Sequence, residues 1–132
     1  MTFVDTNVLL DLFSGELPWA DWAKPRLEAA ALAGPLLIND VVYAELCPNA
    51  DSPEEVDDLL ALIGVDLVQT PKSALFLAAK AFTAYRRRGG ARTGVLPDFF
   101  IGAHAAIVGA PLLTRDAARY RTYFPTLELI AP

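Results

Sequence analysis

Phe3-Val4-Asp5-Thr6-Asn7-Val8-Leu9-Leu10-Asp11 reads as a very short apolar strand, an acid at its carboxyl end and the start of a helical pattern. The same unit recurs along the chain. Apolar strands are expected at Phe3-Val4, Leu36 to Ile38, Val65 to Val68, Leu112-Leu113 and Leu127 to Ile130. Between them lie helical patterns at Val8 to Phe13, Trp19 to Ala33 (interrupted or started by Pro25), Val41 to Leu46, Pro53 to Ile63, Lys72 to Arg88, Asp98 to Val108 and Ala117 to Tyr123. Asp40 stands where it would cap the third of these helices, and Ser52-Pro53-Glu54-Glu55 combines a cap, a first-turn proline and acids near the positive helix end. Gly64 and Gly109 fall where helices should stop. Short strands alternating with helices predict an α/β fold whose mostly parallel sheet is covered on both faces.

The chain has 132 residues, a length that fits a single domain over residues 1–132. Its hydrophobic fraction of 54% is high, yet no apolar run is long enough to span a bilayer, and Phe99 to Leu113 is broken by His104 and Pro111. With no basic segment leading into an apolar one at the start, no signal peptide or anchor is expected, and the protein is expected to be cytoplasmic. A lone Cys47 excludes an internal disulfide, and it reads as a small buried hydrophobe. Charge is unevenly spread. From Arg86 to Arg121 seven arginines face only Asp98 and Asp116, a local excess of positive charge in a chain whose net charge is −5. An arginine-rich stretch around two acids suits a phosphate-binding mouth beside a metal site, whereas Arg86 to Arg88 alone would equally make a solvated helix face.

In parallel sheets ligands bind beyond the carboxyl ends of the strands, which sorts the sixteen acids by position. Asp5 follows the first strand, Glu45 lies in the helix leaving the second, Asp98 begins a helix leading into the fourth, and Asp116 follows the fourth. Asp5 and Asp116 could each be simple helix caps. Glu45, among Val41, Val42, Tyr43, Ala44 and Leu46, and Asp98, in Leu96-Pro97-Asp98-Phe99-Phe100, are acids in apolar company, where a partner or a metal is expected. Gly102, one turn beyond Asp98, offers little bulk to obstruct it. Convergent carboxylates repel one another unless a cation sits among them, and hard oxygen donors suit Mg2+ or Mn2+. Such an ion supports phosphodiester hydrolysis. His104, the single histidine, lies about 240° around its helix from Asp98, so it belongs to core or surface rather than to the acids. Without a second histidine, metal-free acid–base cleavage of RNA has no pair of groups to run on.

These residues resemble the PIN domains, in particular the VapC-type ribonuclease toxins. The resemblance runs from Phe3 to Asp11, through Asn39-Asp40-Val41-Val42-Tyr43-Ala44-Glu45 and Leu96-Pro97-Asp98, to Leu112-Leu113-Thr114-Arg115-Asp116. It implies a three-layer α/β/α sandwich, Mg2+- or Mn2+-dependent endoribonuclease activity, a homodimer and a cognate antitoxin. It also implies an acidic quartet at Asp5, Glu45, Asp98 and Asp116, with Asp5 and Asp98 the direct metal ligands. Asn7 and Thr114 match supporting polar positions. Arg86, Arg87, Arg88, Arg92 and Arg115 are the candidate RNA-backbone contacts, since they dominate the basic stretch.

Two other readings stand beside this one. An aspartate-nucleophile phosphatase would carry a second acid where this chain has Asn7. A non-catalytic interaction module would use the acids only as helix caps. Leu9, Leu12, Phe13, Trp19 and Trp22 supply more large side chains than one helical hairpin buries, so exposed apolar surface and self-association are expected around them.

Overall fold

The computed structural model describes residues 1–132. Its elements in chain order are β1 (Thr2–Val4), α1 (Thr6–Ser14), α2 (Trp19–Ala33), β2 (Leu36–Asn39), α3 (Asp40–Leu46), α4 (Pro53–Ile63), β3 (Val65–Val68), α5 (Lys72–Arg87), a 3-10 turn at Thr93–Val95, α6 (Leu96–Val108), β4 (Leu112–Leu113), α7 (Ala118–Tyr123) and β5 (Leu129–Ile130). All five strands are parallel, in the order β3-β2-β1-β4-β5. Right-handed crossovers in that order put α1 to α4 on one face and α5 to α7 on the other, making three layers.

Central position explains the strands' composition. β1 and β4 are buried at every residue, and so is β2, because helices cover both faces. The edge strand β3 buries only Val65 fully and leaves Asp66 and Leu67 exposed. α6 is apolar nearly all round and buries Phe99, Ile101, Gly102, Ala103, His104 and Ala105, as a helix between a sheet and the neighbouring α5 must. Gly64 and Gly109 end α4 and α6 with φ of 72° and 71°, the left-handed conformation expected of them.

Several details depart from expectation. α2 runs unbroken from Trp19 to Ala33 with Pro25 inside it. The cap of α3 is Asn39, whose side chain accepts from the Val42 amide at 3.1 Å, and Asp40 is already helical. α6 begins at Leu96, so Asp98 sits in its first turn instead of opening it. α7 has no side-chain cap, which removes that role from Asp116. The apolar surplus is not where it was expected: Leu9 is fully buried, and Leu12, Phe13, Trp19 and Trp22 are half-buried. The most exposed large side chains are instead Leu17, Leu32 and Leu62 on the α1–α4 face, Leu67 on the edge strand and Phe76 on α5, with Leu10 on α1 exposed to a lesser degree. Cys47 is half-buried at the end of α3, its thiol directed at the Tyr43 carbonyl. No helix is long and apolar enough to cross a membrane.

Strand order reverses between β1 and β4, which lie side by side with Val4 opposite Leu113. The carboxyl ends of these two strands are therefore where an open parallel sheet forms its crevice. The residues that follow them are Asp5 and Thr114.

Candidate active site

Asp5 is 4% exposed and is the most heavily hydrogen-bonded acid of the chain. Its Oδ1 accepts from the Thr6 amide at 2.7 Å, the N-cap bond of α1. Its Oδ2 accepts from the Thr114 hydroxyl at 2.8 Å, the Tyr120 hydroxyl at 2.9 Å and the Asn7 amide at 3.3 Å. A carboxylate oxygen has two lone pairs, so three donors saturate Oδ2 while Oδ1 keeps one lone pair free. Asp5 is thus both the cap that sequence allows and the centre of a polar network. Burial raises its pKa, opposed by the Thr114, Tyr120 and Thr6 hydrogen bonds and reinforced by the charge of Glu45.

The β4–α7 loop closes around the same point. Thr114 is fully buried, Asn7 donates to it at 3.4 Å, and the Asp116 amide donates to its hydroxyl at 3.1 Å. The Arg115 amide donates to Asn7 Oδ1 at 3.3 Å, so both ends of the Asn7 amide are used. The Arg115 guanidinium pairs with the buried Asp11, Nε to Oδ2 at 2.7 Å, and lies over the Trp19 ring at 5.1 Å from its centroid. That clamp ties the loop to α1 and to the start of α2.

Asp98 is placed differently. Its single side-chain partner is Arg119, Nη1 to Oδ2 at 2.5 Å, and both side chains are partly solvent-accessible. Burial pushes the Asp98 pKa up to about 6, the charge of Asp5 adds to the rise, and Arg119 opposes it. Glu45 contributes to the same field and receives a hydrogen bond from the Thr6 hydroxyl at 2.7 Å. Asp5, Glu45 and Asp98 therefore stand close enough to feel one another's charge. Asp116 joins the group only through its backbone, for its side chain is exposed.

Tyr120, Thr6 and Arg119 have no place in the sequence reading of the site, though each touches one of its acids. Tyr120 is 2% exposed, and burial together with the nearby Asp5 and Asp98 charges raises its pKa well above 10, so the hydroxyl remains a donor. Its approach depends on Gly102, where an added Cβ would come within 2.7 Å of the Phe124 ring and 2.9 Å of the Tyr120 ring. Gly102 thus makes room for α7 rather than for Asp98. A tyrosine four residues beyond Asp116, about one helical turn on, is the one signal in the sequence for Tyr120. His104 belongs to the core, 1% exposed with its ring tilted against Phe3 at 4.8 Å between centroids, and burial lowers its pKa. Of the five arginines proposed for a phosphate backbone, Arg86, Arg87, Arg88 and Arg92 are exposed, while Arg115 is engaged as described.

The donor set fits a hard divalent cation: three carboxylates share a repulsive field, and Asp5 Oδ1 keeps an unused lone pair. No three acidic, histidine or cysteine side chains close on a single point.

The PIN domain family matches residues 2–125. No curated protein sequence matches the chain. Among solved structures, the chain is similar to one in VapBC2 from Rickettsia felis bound to a DNA fragment from their promoter, with TM-score 0.76 and 20% identity over 99% of this chain and 98% of that one. It is similar also to a chain of VapBC-1 from nontypeable Haemophilus influenzae, with TM-score 0.72 and 17% identity over 98% and 96% of the two chains. A toxin-antitoxin complex from Klebsiella pneumoniae gives TM-score 0.69 and 23% identity over the same shares. The sheet order, the acids at the ends of β1 and β4 and a family match over nearly the whole length agree: the chain belongs to the PIN domain family.

Proposed function

We propose that this protein is a metal-dependent endoribonuclease, the toxin of a toxin–antitoxin pair, working in the cytoplasm. The observation that carries the reading is that Thr6 bonds both Asp5 and Glu45, and that adjacent Tyr120 and Arg119 of α7 bond Asp5 and Asp98, beside the reversal point of the sheet. Asp5 and Asp98 hold Mg2+ or Mn2+, with Glu45 and Asp116 acting directly or through water. A bound divalent ion supplies Lewis acidity and a water of lowered pKa.

The chain's own residues set the stage for that chemistry. Thr114, Asn7 and Tyr120 occupy Oδ2 of the Asp5 carboxylate so that only Oδ1 keeps a lone pair for a ligand, and the Arg115 amide bond to Asn7 ties the loop to α1. Thr6 aims Glu45 while its amide binds Asp5, so one residue orients two acids. Arg86, Arg87, Arg88 and Arg92 bind the RNA backbone, and Arg115 adds positive charge from its clamp. Exposed apolar surface at Leu17, Leu32 and Leu62 and at Phe76 supports a homodimer and an antitoxin contact. Light scattering at micromolar concentration tests the dimer, and a mass near 14.3 kDa refutes it.

Incubation of a mixed-sequence RNA with Mg2+, Mn2+ or EDTA, for the wild type and for Asp5→Asn, tests the activity. Cleavage with either metal, lost in EDTA and in the variant, is expected. Cleavage that survives both treatments sinks the assignment, and release of phosphate from small phosphate esters without RNA cleavage favours a phosphatase.

A further inference from the structure

Asp98 and Asp5 differ in what neutralises them. Asp5 is surrounded by neutral donors, none of which carries charge: an amide N–H, two hydroxyls and an Asn side chain. Asp98 has a full positive charge on it, the Arg119 guanidinium at 2.5 Å from Oδ2, and no other side-chain partner. Arg119 is on α7, one residue before Tyr120, so the helix that presents a neutral donor to Asp5 presents a cation to Asp98. Both members of the ion pair remain partly accessible, with side-chain exposures of 22% and 32%. The long arginine side chain can therefore swing into solvent without unpacking α7, whose buried anchor is Tyr120.

We propose that Arg119 is an internal counter-cation, holding Asp98 in the absence of metal and yielding the carboxylate when a divalent ion binds. The inference rests on the reading of Asp5 and Asp98 as metal ligands. It assigns Arg119 a positioning role: the guanidinium holds Asp98 Oδ2 at 2.5 Å, and it sets the affinity for metal by competing for the same oxygen. Two cations cannot share one carboxylate oxygen at ligand distance without repulsion, so the stronger the Arg119 contact, the weaker the metal.

Calorimetric titration of the metal-free full chain with Mn2+ tests this, together with its melting temperature in EDTA. Arg119→Gln is expected to bind Mn2+ about ten-fold more tightly, the factor expected when one charge-assisted contact no longer has to be broken. Its melting temperature in EDTA falls, because Asp98 then faces Asp5 uncompensated, and Mn2+ restores it. Arg119→Lys, which keeps the charge, stays near the wild type. Arg121→Gln, which removes an exposed charge from the same helix, leaves the affinity unchanged, separating local competition from the general field. Equal or weaker Mn2+ binding by Arg119→Gln, or equal tightening by Arg121→Gln, overturns the proposal while leaving the metal site standing. Undiminished Mn2+ binding by Asp98→Asn overturns the metal-site reading itself and this proposal with it.

Discussion

Asp5 and Asp98 lie in one electrostatic field yet are built in opposite ways. Asp5 is nearly inaccessible, receives four hydrogen bonds from α1, the β4–α7 loop and α7, and cannot turn without breaking several of them. Asp98 is partly open and its side chain is bonded to one other, that of Arg119. The first is a fixed reference point whose orientation is settled by several bonds; the second, on the proposed reading, is the ligand that changes partner. A site that must capture and release ions and charged substrate needs one of each, because two fully fixed acids would not adapt and two loose ones would not be pre-organised.

That contrast can be broken first by neutralising each acid. Asp5→Asn and Asp98→Asn should both lower RNA cleavage by about two to three orders of magnitude, a typical cost of losing one pre-organised charge contact. Their stabilities should part company. An amide at position 5 must face either the Thr6 N–H or the three donors at Oδ2 with a donor of its own, so Asp5→Asn should lose about 1–3 kcal/mol in denaturant unfolding. Asp98→Asn should shift metal-free stability by less than about 1 kcal/mol, since losing a partly exposed ion pair is offset by relief from Asp5. Equal losses in the two variants would erase the distinction.

The fixed side can be loosened without touching an acid. Gly102→Ala should cost about 1–3 kcal/mol and reduce cleavage, because the new methyl group displaces Tyr120 and Phe124 in a close-packed interior. Tyr120→Phe removes only the hydroxyl and should cost about 1 kcal/mol. It also removes one of the bonds that lower the Asp5 pKa, so the acid limb of the cleavage pH profile should move upward. An unmoved limb would separate Tyr120 from the ionisation of Asp5.

The exchangeable side can be titrated. Burial lifts the Asp98 carboxyl to about 6 and also raises that of Asp5, so in both cases the fold prefers the protonated acid. The Asp98 contribution to stability is then greatest below the unfolded value of ~4 and is lost as pH rises through about 6, and Asp5 acts in the same direction. Metal-free protein should therefore unfold more easily at pH 7 than at pH 5, and Mn2+ should flatten the difference. The smallest effect expected is at the basic stretch. Arg86, Arg87 and Arg88 replaced together by alanine should reduce the salt slope of RNA binding by about 2, given about 0.7 per phosphate contact on a single strand. An unchanged slope would make them a solvated face.

Much of this was legible before any coordinates. The strand–acid–helix unit at Phe3 to Asp11 gives the sheet, and the rule that ligands sit beyond strand ends picks Asp5 out of sixteen acids, though it picks Asp116 as well, whose exposed side chain stays apart from the others. Glu45 and Asp98 stood out as acids among apolar neighbours. What stayed hidden depends on contacts between residues far apart in the chain. Nothing local says that Tyr120 reaches Asp5, that Thr6 reaches Glu45, or that Asp11 and Arg115 pair across more than a hundred residues. Arg119 was visible only as one charge in a basic run, since periodicity reports which face a residue occupies and not what waits opposite that face. Burial of Leu9 and exposure of Leu32 and Leu62 are hidden for the same reason: the first is packed into the core and the others face outward.

The Tyr120–Asp5 bond spans 115 positions and the Thr114–Asp5 bond spans 109, so the site is closed by the last helix acting on the first strand. During synthesis, a chain released only as far as α6 already has Asp5, Glu45 and Asp98, but Asp5 Oδ2 has lost two of its three donors and Asp98 its counter-charge. Such a chain holds the acids of a nuclease without the arrangement that makes them work. On the proposed reading, competence therefore waits for Tyr120, the last residue of the chain to bond Asp5.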